Sequence, residues 1–269
     1  MNEIKELEAI AVLIDADNIS PTHIKTILDE ISTYGRIITK RAYGNWAGKN
    51  ISTWKSKFIE YSIQPILQIA YTTGKNSTDA AMNIDAMDLL YTKKYDAFVL
   101  VSSDSDFTRL ALRLRDEGVY VFGVGEMKTP VSLRNACDNF IFIENLESEI
   151  AVPKVAEVKP KETAASETTA NKAKKTKKSK KKEPHPTDEV DEVLRLLIIA
   201  SEKYADEDMW TNLASAGSFL KRTKPDFDPR SYQVKSLVDF VAKYPAVFEV
   251  RKMPGKGKTS IIAYKVISQ

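Results

Sequence analysis

The sequence predicts an α/β fold, a parallel sheet with flanking helices, followed by a small winged helix-turn-helix C-terminal domain. Three observations predict it. Short apolar runs alternate with helical periodicities over residues 1–150, the order that builds parallel sheets covered on both faces. A lysine-rich stretch, nearly without large apolar residues, then interrupts the pattern at 151–186. Beyond it, three helical patterns precede two alternating runs around MPGKGKT within residues 187–269, and helices ending in a hairpin describe a winged helix.

Each element has a local reason. Ile10–Ile14 is a short continuous apolar run, as a strand buried on both faces requires. Ser20-Pro21 is a helix start, with a capping side chain followed by a residue that tolerates the first turn. Ile24, Ile27, Leu28 and Ile31 then recur at helical spacing. Arg36–Tyr43 and Ile63–Ala70 are expected as strands, with a helix over Trp54–Tyr61 between them. A helix is expected over Thr78–Thr92, a buried strand over Phe98–Val101 and a helix over Phe107–Glu117. Gly118 marks a turn before the strand Tyr120–Val124. In sheets of this kind the site lies at the carboxyl ends of the strands.

The stretch 151–186 contains the run KAKKTKKSKKK. It lacks the apolar surface that offsets ordering entropy, so a disordered tether between independent domains is expected. After it, Thr187 is suited to cap a helix bearing Val190, Val193, Leu194, Leu197 and Ile198. A second helix is expected near Asn212–Lys221. Asp228-Pro229 opens a third, bearing Val234, Leu237, Val238 and Val241. Val247–Lys252 and Ser260–Ile267 alternate as strands.

The net charge of +3 is unevenly distributed. Residues 1–150 hold 16 Lys/Arg against 21 Asp/Glu, and 151–186 hold 11 against 4. Residues 187–209 are acidic, with 2 against 8, whereas 210–269 hold 11 against 4. Basic zones point to a polyanionic partner. No apolar run approaches the roughly 20 residues that span a bilayer. MNEIKELEAI lacks the basic and apolar regions of a secretory signal, and the single cysteine, Cys137, excludes an intrachain disulfide. A cytoplasmic protein without membrane contact is the expectation.

The acids of the first domain gather at strand ends. Asp15 and Asp17 follow the first strand in IDADN, and Asp104 and Asp106 follow a later one in VLVSSDSDF. Asp79, Asp85 and Asp88 fall on the helix between them. Carboxylates crowded together need protonation, separation or a divalent cation. An all-oxygen set suits Mg2+ or Mn2+ better than zinc, and such ions support phosphodiester hydrolysis. Asp15, Asp104 and Asp106 are the strongest candidates. Asp17 also fits a turn, Asp79 a helix-dipole partner, and Asn18 either a ligand-orienting residue or a cap. Asp85 stands six residues after Asp79, about 240° around the helix.

IDADN, TGKNSTDAAMNIDAMDLLY and VLVSSDSDF, in that order, resemble the NYN domain of the PIN-like nuclease superfamily, which includes LabA-like proteins. The resemblance covers roughly residues 8–147. It implies a PIN-like fold and metal-dependent RNA cleavage. By motif it implies Asp15, Asp79, Asp104 and Asp106 as the acidic catalytic centre, with Asn18 and Asp85 supporting the metal. Ser103 stands where many relatives have glycine.

TNLASAGSFLKRTKPDFDPRSYQVKSLVDFV resembles an OST-HTH (LOTUS) domain, roughly over 187–267. That family is linked to RNA binding and to protein contacts. Gln233 departs from the expected glycine. The basic face expected to meet RNA comprises Lys221, Arg222, Lys224, Arg230, Lys235, Arg251, Lys252, Lys256 and Lys258, with Tyr232 able to stack on a base or to pack in the core.

Two other motifs fail on context. GKGKTS lacks the earlier glycine of a phosphate-binding loop, because Lys252 occupies that place, and a strand follows it. IDADN resembles the haloacid-dehalogenase phosphatases, but Ile19 stands where Thr or Val belongs. His23 and His185 are isolated. The expectation is a metal-dependent ribonuclease whose C-terminal module binds RNA, possessing either a nuclease's turnover or, as the alternative, an adaptor's cation site without it.

Overall fold

The computed structural model describes residues 7–46, 49–67, 77–148, 186–254 and 260–267. The first sheet contains β1 (Leu7–Asp15), β2 (Gly35–Gly44), β3 (Gln64–Leu67), β4 (Ala97–Val101), β5 (Tyr120–Gly125) and β6 (Asn139–Phe142). Every pairing is parallel, in the order β3-β2-β1-β4-β5-β6. The helices are α1 (Ile24–Ser32), α2 (Lys49–Tyr61), α3 (Ser77–Tyr91), α4 (Thr108–Asp116), α5 (Val131–Ala136) and α6 (Ile143–Ser148).

The period of two along β1 divides its side chains between two cores. Ile10, Val12 and Ile14 join Ile24, Ile27, Ile31, Trp54 and Leu146 on one face. Ala11 and Leu13 join Met82, Ala86, Leu90, Leu110 and Leu114 on the other. Both faces are dry, so the strand is apolar throughout rather than alternating. Each such Ile or Leu contributes about 1.5–3 kcal/mol through burial. Gly118 ends α4 with φ +80, a conformation that glycine adopts without a Cβ penalty.

The strand order reverses between β1 and β4, which pair in register from Ile10↔Ala97 to Ile14↔Val101. A crevice therefore opens beyond their carboxyl ends. Asp15 closes β1, and Asp104 follows β4 by three residues.

The C-terminal part contains α7 (Pro186–Tyr204), α8 (Leu213–Thr223) and α9 (Leu237–Ala242) against an antiparallel sheet. That sheet orders β7 (Thr211–Asn212), β9 (Ser260–Val266) and β8 (Phe248–Pro254) as β7-β9-β8. Val193, Leu197, Leu213, Leu220, Phe240, Phe248 and Tyr264 share its core.

The third helix differs from expectation. Asp228 caps only a 3-10 turn over Pro229–Tyr232, and Gln233 then turns left-handed at φ 58. A left-handed residue cannot continue a right-handed helix, and Gln233 carries a Cβ where glycine is favoured. The helix restarts at Leu237, where the Ser236 side chain accepts from Asp239 N. Val234 consequently lies outside it. The first C-terminal helix also begins one residue before the expected Thr187 cap, at Pro186.

Contacts join the two parts. The edge strand β6 donates Phe140 N to Pro225 O at 3.0 Å. Arg134 Nη1 lies 2.5 Å from Asp226 Oδ2, with side-chain exposures of 13% and 6%. Lys221 Nζ donates to Asn139 Oδ1 at 2.9 Å, and Asn145 Nδ2 donates to Ser231 Oγ at 2.8 Å. Arg230 Nη2 reaches Glu30 Oε1 at 3.8 Å. The lysine-rich segment 151–185 lies outside the described residues.

Candidate metal centre

Asp15 is fully buried at the carboxyl end of the central strand. Its Oδ2 accepts Asn18 Nδ2 and Ser102 Oγ, both at 2.8 Å. Its Oδ1 is buried without a hydrogen-bond partner. Burial raises the Asp15 pKa, despite the lowering effect of these hydrogen bonds. A buried carboxylate with one oxygen unanswered is costly unless a cation meets it.

Ser102 links the two strand ends. Besides donating to Asp15, its Oγ accepts Asp104 N at 3.1 Å. Asp104 is the cap of a 3-10 turn over Ser105–Phe107, its Oδ1 accepting Asp106 N at 2.9 Å. Ser103, the departure from glycine, accepts Glu126 N through its hydroxyl at 2.9 Å and so ties β4 to the loop after β5.

Ligand oxygens of Asp79, Asp104 and Asp106 lie within 4.8 Å of one another. Burial first, and then the charges of Asp15, Asp104, Asp106 and Asp17, push the Asp79 carboxyl up to about 6. Five carboxylates therefore share one electrostatic environment. Two of them about 4 Å apart repel by about 4 kcal/mol at an effective dielectric near 20. The oxygen-only donor set and the orphaned Asp15 Oδ1 fit a hard divalent ion such as Mg2+ or Mn2+.

The other acids stand apart. Asp17 accepts Asn45 N at 3.2 Å and Thr78 Oγ1 at 2.8 Å, holding β2's end and the start of α3. The turn role suits it. Asp85 accepts from Arg41 Nη1 and Tyr43 Oη, which engage both its oxygens about one and two-thirds turns beyond Asp79. Like Asp15, it lies outside the close group formed by Asp79, Asp104 and Asp106, and unlike Asp15 it has no unpartnered oxygen. Asn18 acts on Asp15 rather than as a demonstrated ligand.

The expected basic face divides as well. Lys221, Lys224 and Arg230 are engaged within the molecule, by Asn139, by Glu192 and Asp226, and by Asp228 and Glu30 respectively. Burial lowers the Lys221 pKa. Tyr232 stacks on Phe227 with centroids 5.6 Å apart and meets Phe240 edge-on, so its ring packs in the core. Arg222, Lys235, Arg251 and Lys252 are exposed. Lys256 and Lys258 lie outside the described residues.

Sequence reasoning missed Ser102. The serine precedes the acids in VSSDSD, where strand-end position was its only signal. Arg109 is exposed in the first turn of α4, three residues after Asp106, which lies in the preceding 3-10 turn. Among the described residues, no helix is long and apolar enough to cross a membrane.

The family model for the NYN domain matches residues 9–144, and that for the OST-HTH/LOTUS domain matches 186–259. No curated protein matches the chain. A crystal structure of VPA0982, a protein of unknown function from Vibrio parahaemolyticus, is 19% identical. The match covers 53% of this chain and 96% of that one, with a TM-score of 0.43. The solution structure of an uncharacterized protein from Nitrosomonas europaea is 20% identical, covering 39% and 94%, with a TM-score of 0.27.

Proposed function

The chain belongs to the NYN-domain family, and from that premise we propose that it hydrolyses RNA phosphodiesters at a centre formed by Asp15, Asp79, Asp104 and Asp106. The observation that carries this reading is the fully buried Asp15, whose unpartnered Oδ1 lies in the same acidic environment as the three clustered carboxylates. Mg2+ or Mn2+, held by these four residues, would supply charge neutralisation and a more acidic water.

The protein's own groups organise that site. Asn18 and Ser102 fix one oxygen of Asp15 and leave the other available. The cap bond from Asp106 N orients Asp104. Asp79 holds a proton more readily than an ordinary aspartate, and would have to release it to act as a ligand. Exposed Arg109 is suited to hold a phosphate flanking the scissile one. In the OST-HTH/LOTUS part, Arg222, Lys235, Arg251 and Lys252 supply salt-dependent attraction for the polyanion.

The test is cleavage of single-stranded and structured RNA with Mg2+, with Mn2+ and with EDTA, beside Asp104→Asn. Metal-dependent cleavage lost in the variant supports the reading. RNA binding without cleavage in either metal refutes it and leaves a binding adaptor.

A further inference from the structure

Asp79 differs from the other acids of the proposed centre. Asp15, Asp104 and Asp106 lie at or just after strand ends, whereas Asp79 stands in the first turn of α3. Its position depends on how that helix is seated. The buried residues nearest to it on α3 are Met82 and Ala86, and the bulkier Leu89 and Leu90 come only at the far end. A methionine conforms to the space it is given and an alanine offers little to interlock, so packing alone fixes the first turns of α3 loosely.

Directional bonds supply what this packing lacks. Tyr43 is fully buried and pairs with Asp15 across β2 and β1. Its backbone oxygen accepts Ala16 N at 2.8 Å, and its hydroxyl donates to Asp85 Oδ2. Its ring lies in the same core as Met82 and Ala86. Arg41, two residues earlier and so on the same face of β2, donates from Nη1 to Asp85 Oδ1. Tyr43 thus touches both the strand end that carries Asp15 and the helix that carries Asp79. A tyrosine side chain has only two rotatable bonds, which makes it a stiff spacer between them.

A second tie lies on the other side of Asp79. Thr78 Oγ1 donates to Asp17 Oδ2 at 2.8 Å, and Asp17 Oδ1 accepts Asn45 N at 3.2 Å, just past the end of β2. Asp79 is therefore bracketed. One residue before it and six residues after it, about 9 Å along the helix axis, α3 is fastened to the end of β2. A metal centre has little tolerance for a misplaced oxygen: Mg2+ demands near-ideal geometry, and the residues of such a site must be held within about 0.5 Å.

We propose that Tyr43 is a positioning residue of the metal centre: through Asp85 it seats α3 so that the Asp79 carboxylate meets those of Asp104 and Asp106. Asp85 takes part as the acceptor of this strut, not as a ligand. This role rests on the reading of the four acids as a metal centre.

Calorimetric titration of the full chain with Mn2+ alone, without RNA, tests this role. Tyr43→Phe keeps the buried ring, changes no charge at neutral pH and removes the strut; it is expected to weaken Mn2+ binding about tenfold. Asp85→Asn should weaken it to a similar degree. The double variant should lose about tenfold rather than a hundredfold, because both changes break one linkage. Tyr264→Phe is the control: it loses a buried hydroxyl bond to Leu197 O in the C-terminal part and should bind Mn2+ like the wild type. A lower Tm for Tyr43→Phe with unchanged Mn2+ affinity would mean a merely structural tyrosine and would overturn the proposal. Fully additive losses would overturn it too, as would abolition of binding by Asp85→Asn, the mark of a direct ligand. If Tyr43→Phe fails to fold, Asp85→Asn decides alone: a roughly tenfold loss supports the role, and unchanged or abolished binding refutes it. A wild type that binds no Mn2+ refutes the metal centre and this role with it, whereas one that binds Mn2+ without cleaving RNA refutes only the nuclease reading.

Discussion

Replacing Asp15 by Asn separates a metal ligand from a structural acceptor. Asn keeps the size of the side chain and one oxygen for Asn18 and Ser102, which both donate to the same Asp15 oxygen. It places an amide where Oδ1 now has no partner. In the wild type, a divalent ion at 100 times its Kd that binds only the folded state adds about 2.7 kcal/mol. At 2–4 °C per kcal/mol for a domain of this size, that is a Tm rise of roughly 5–10 °C. The variant should lose most of this rise. Without metal it should be as stable as the wild type or more so at neutral pH, because a buried, uncompensated charge has gone. Calorimetry with Mn2+, with Mg2+ and with EDTA measures both quantities. An undiminished metal shift in the variant refutes ligation by Asp15. A metal-free Tm several degrees below wild type refutes the account of Oδ1 as an unanswered charge.

Three further outcomes follow from the same geometry. Asp79 titrates near 6 when folded and near 3.8 when unfolded, so the folded chain binds more protons between these values; metal-free stability should fall as pH rises from about 4 to about 6, and the metal-induced rise in Tm should shrink below about 6. A rise in metal-free stability across that window would contradict the Asp79 assignment. Arg109→Ala should raise KM about tenfold with little change in kcat and reduce the salt dependence of RNA affinity by a slope of about 0.7–0.9, as loss of one phosphate contact requires; a fall in kcat alone would place Arg109 elsewhere in the reaction. Arg134→Ala leaves Asp226 buried with only Lys224 opposite, at 3.3 Å, and should cost about 3–5 kcal/mol in denaturant melts; an unchanged midpoint would mean that the two parts do not dock in solution.

The central strands and the acidic ends were legible because their causes are local. Ile10–Ile14 and Phe98–Val101 are apolar without interruption, and the aspartates follow them directly. The short elements α5, α6 and β6 carried no comparable period: six, six and four residues are too few to display one. Asp85 looked like a supporting ligand on motif alone, but its oxygens are engaged by Arg41 and Tyr43, which the sequence places more than 40 residues away. Lys221 and Arg230 resembled surface cations for the same reason, since Asn139 and Glu30 become their neighbours only after folding. Gln233 was the informative exception. A missing glycine marked the place where the third C-terminal helix breaks.

The bond from Phe140 N to Pro225 O has a consequence for how the protein can be divided. β6 is the last strand of its sheet, and an uncovered last strand is a template on which another chain can extend the sheet. In the whole chain the OST-HTH/LOTUS part occupies one position on that edge of the NYN part. A fragment ending near residue 150 would retain all four acids of the proposed centre, yet expose a bare strand edge together with an arginine stripped of its counter-charge. Such a fragment should be more prone to self-association than the whole chain, and adding the C-terminal fragment back in trans should restore its solubility.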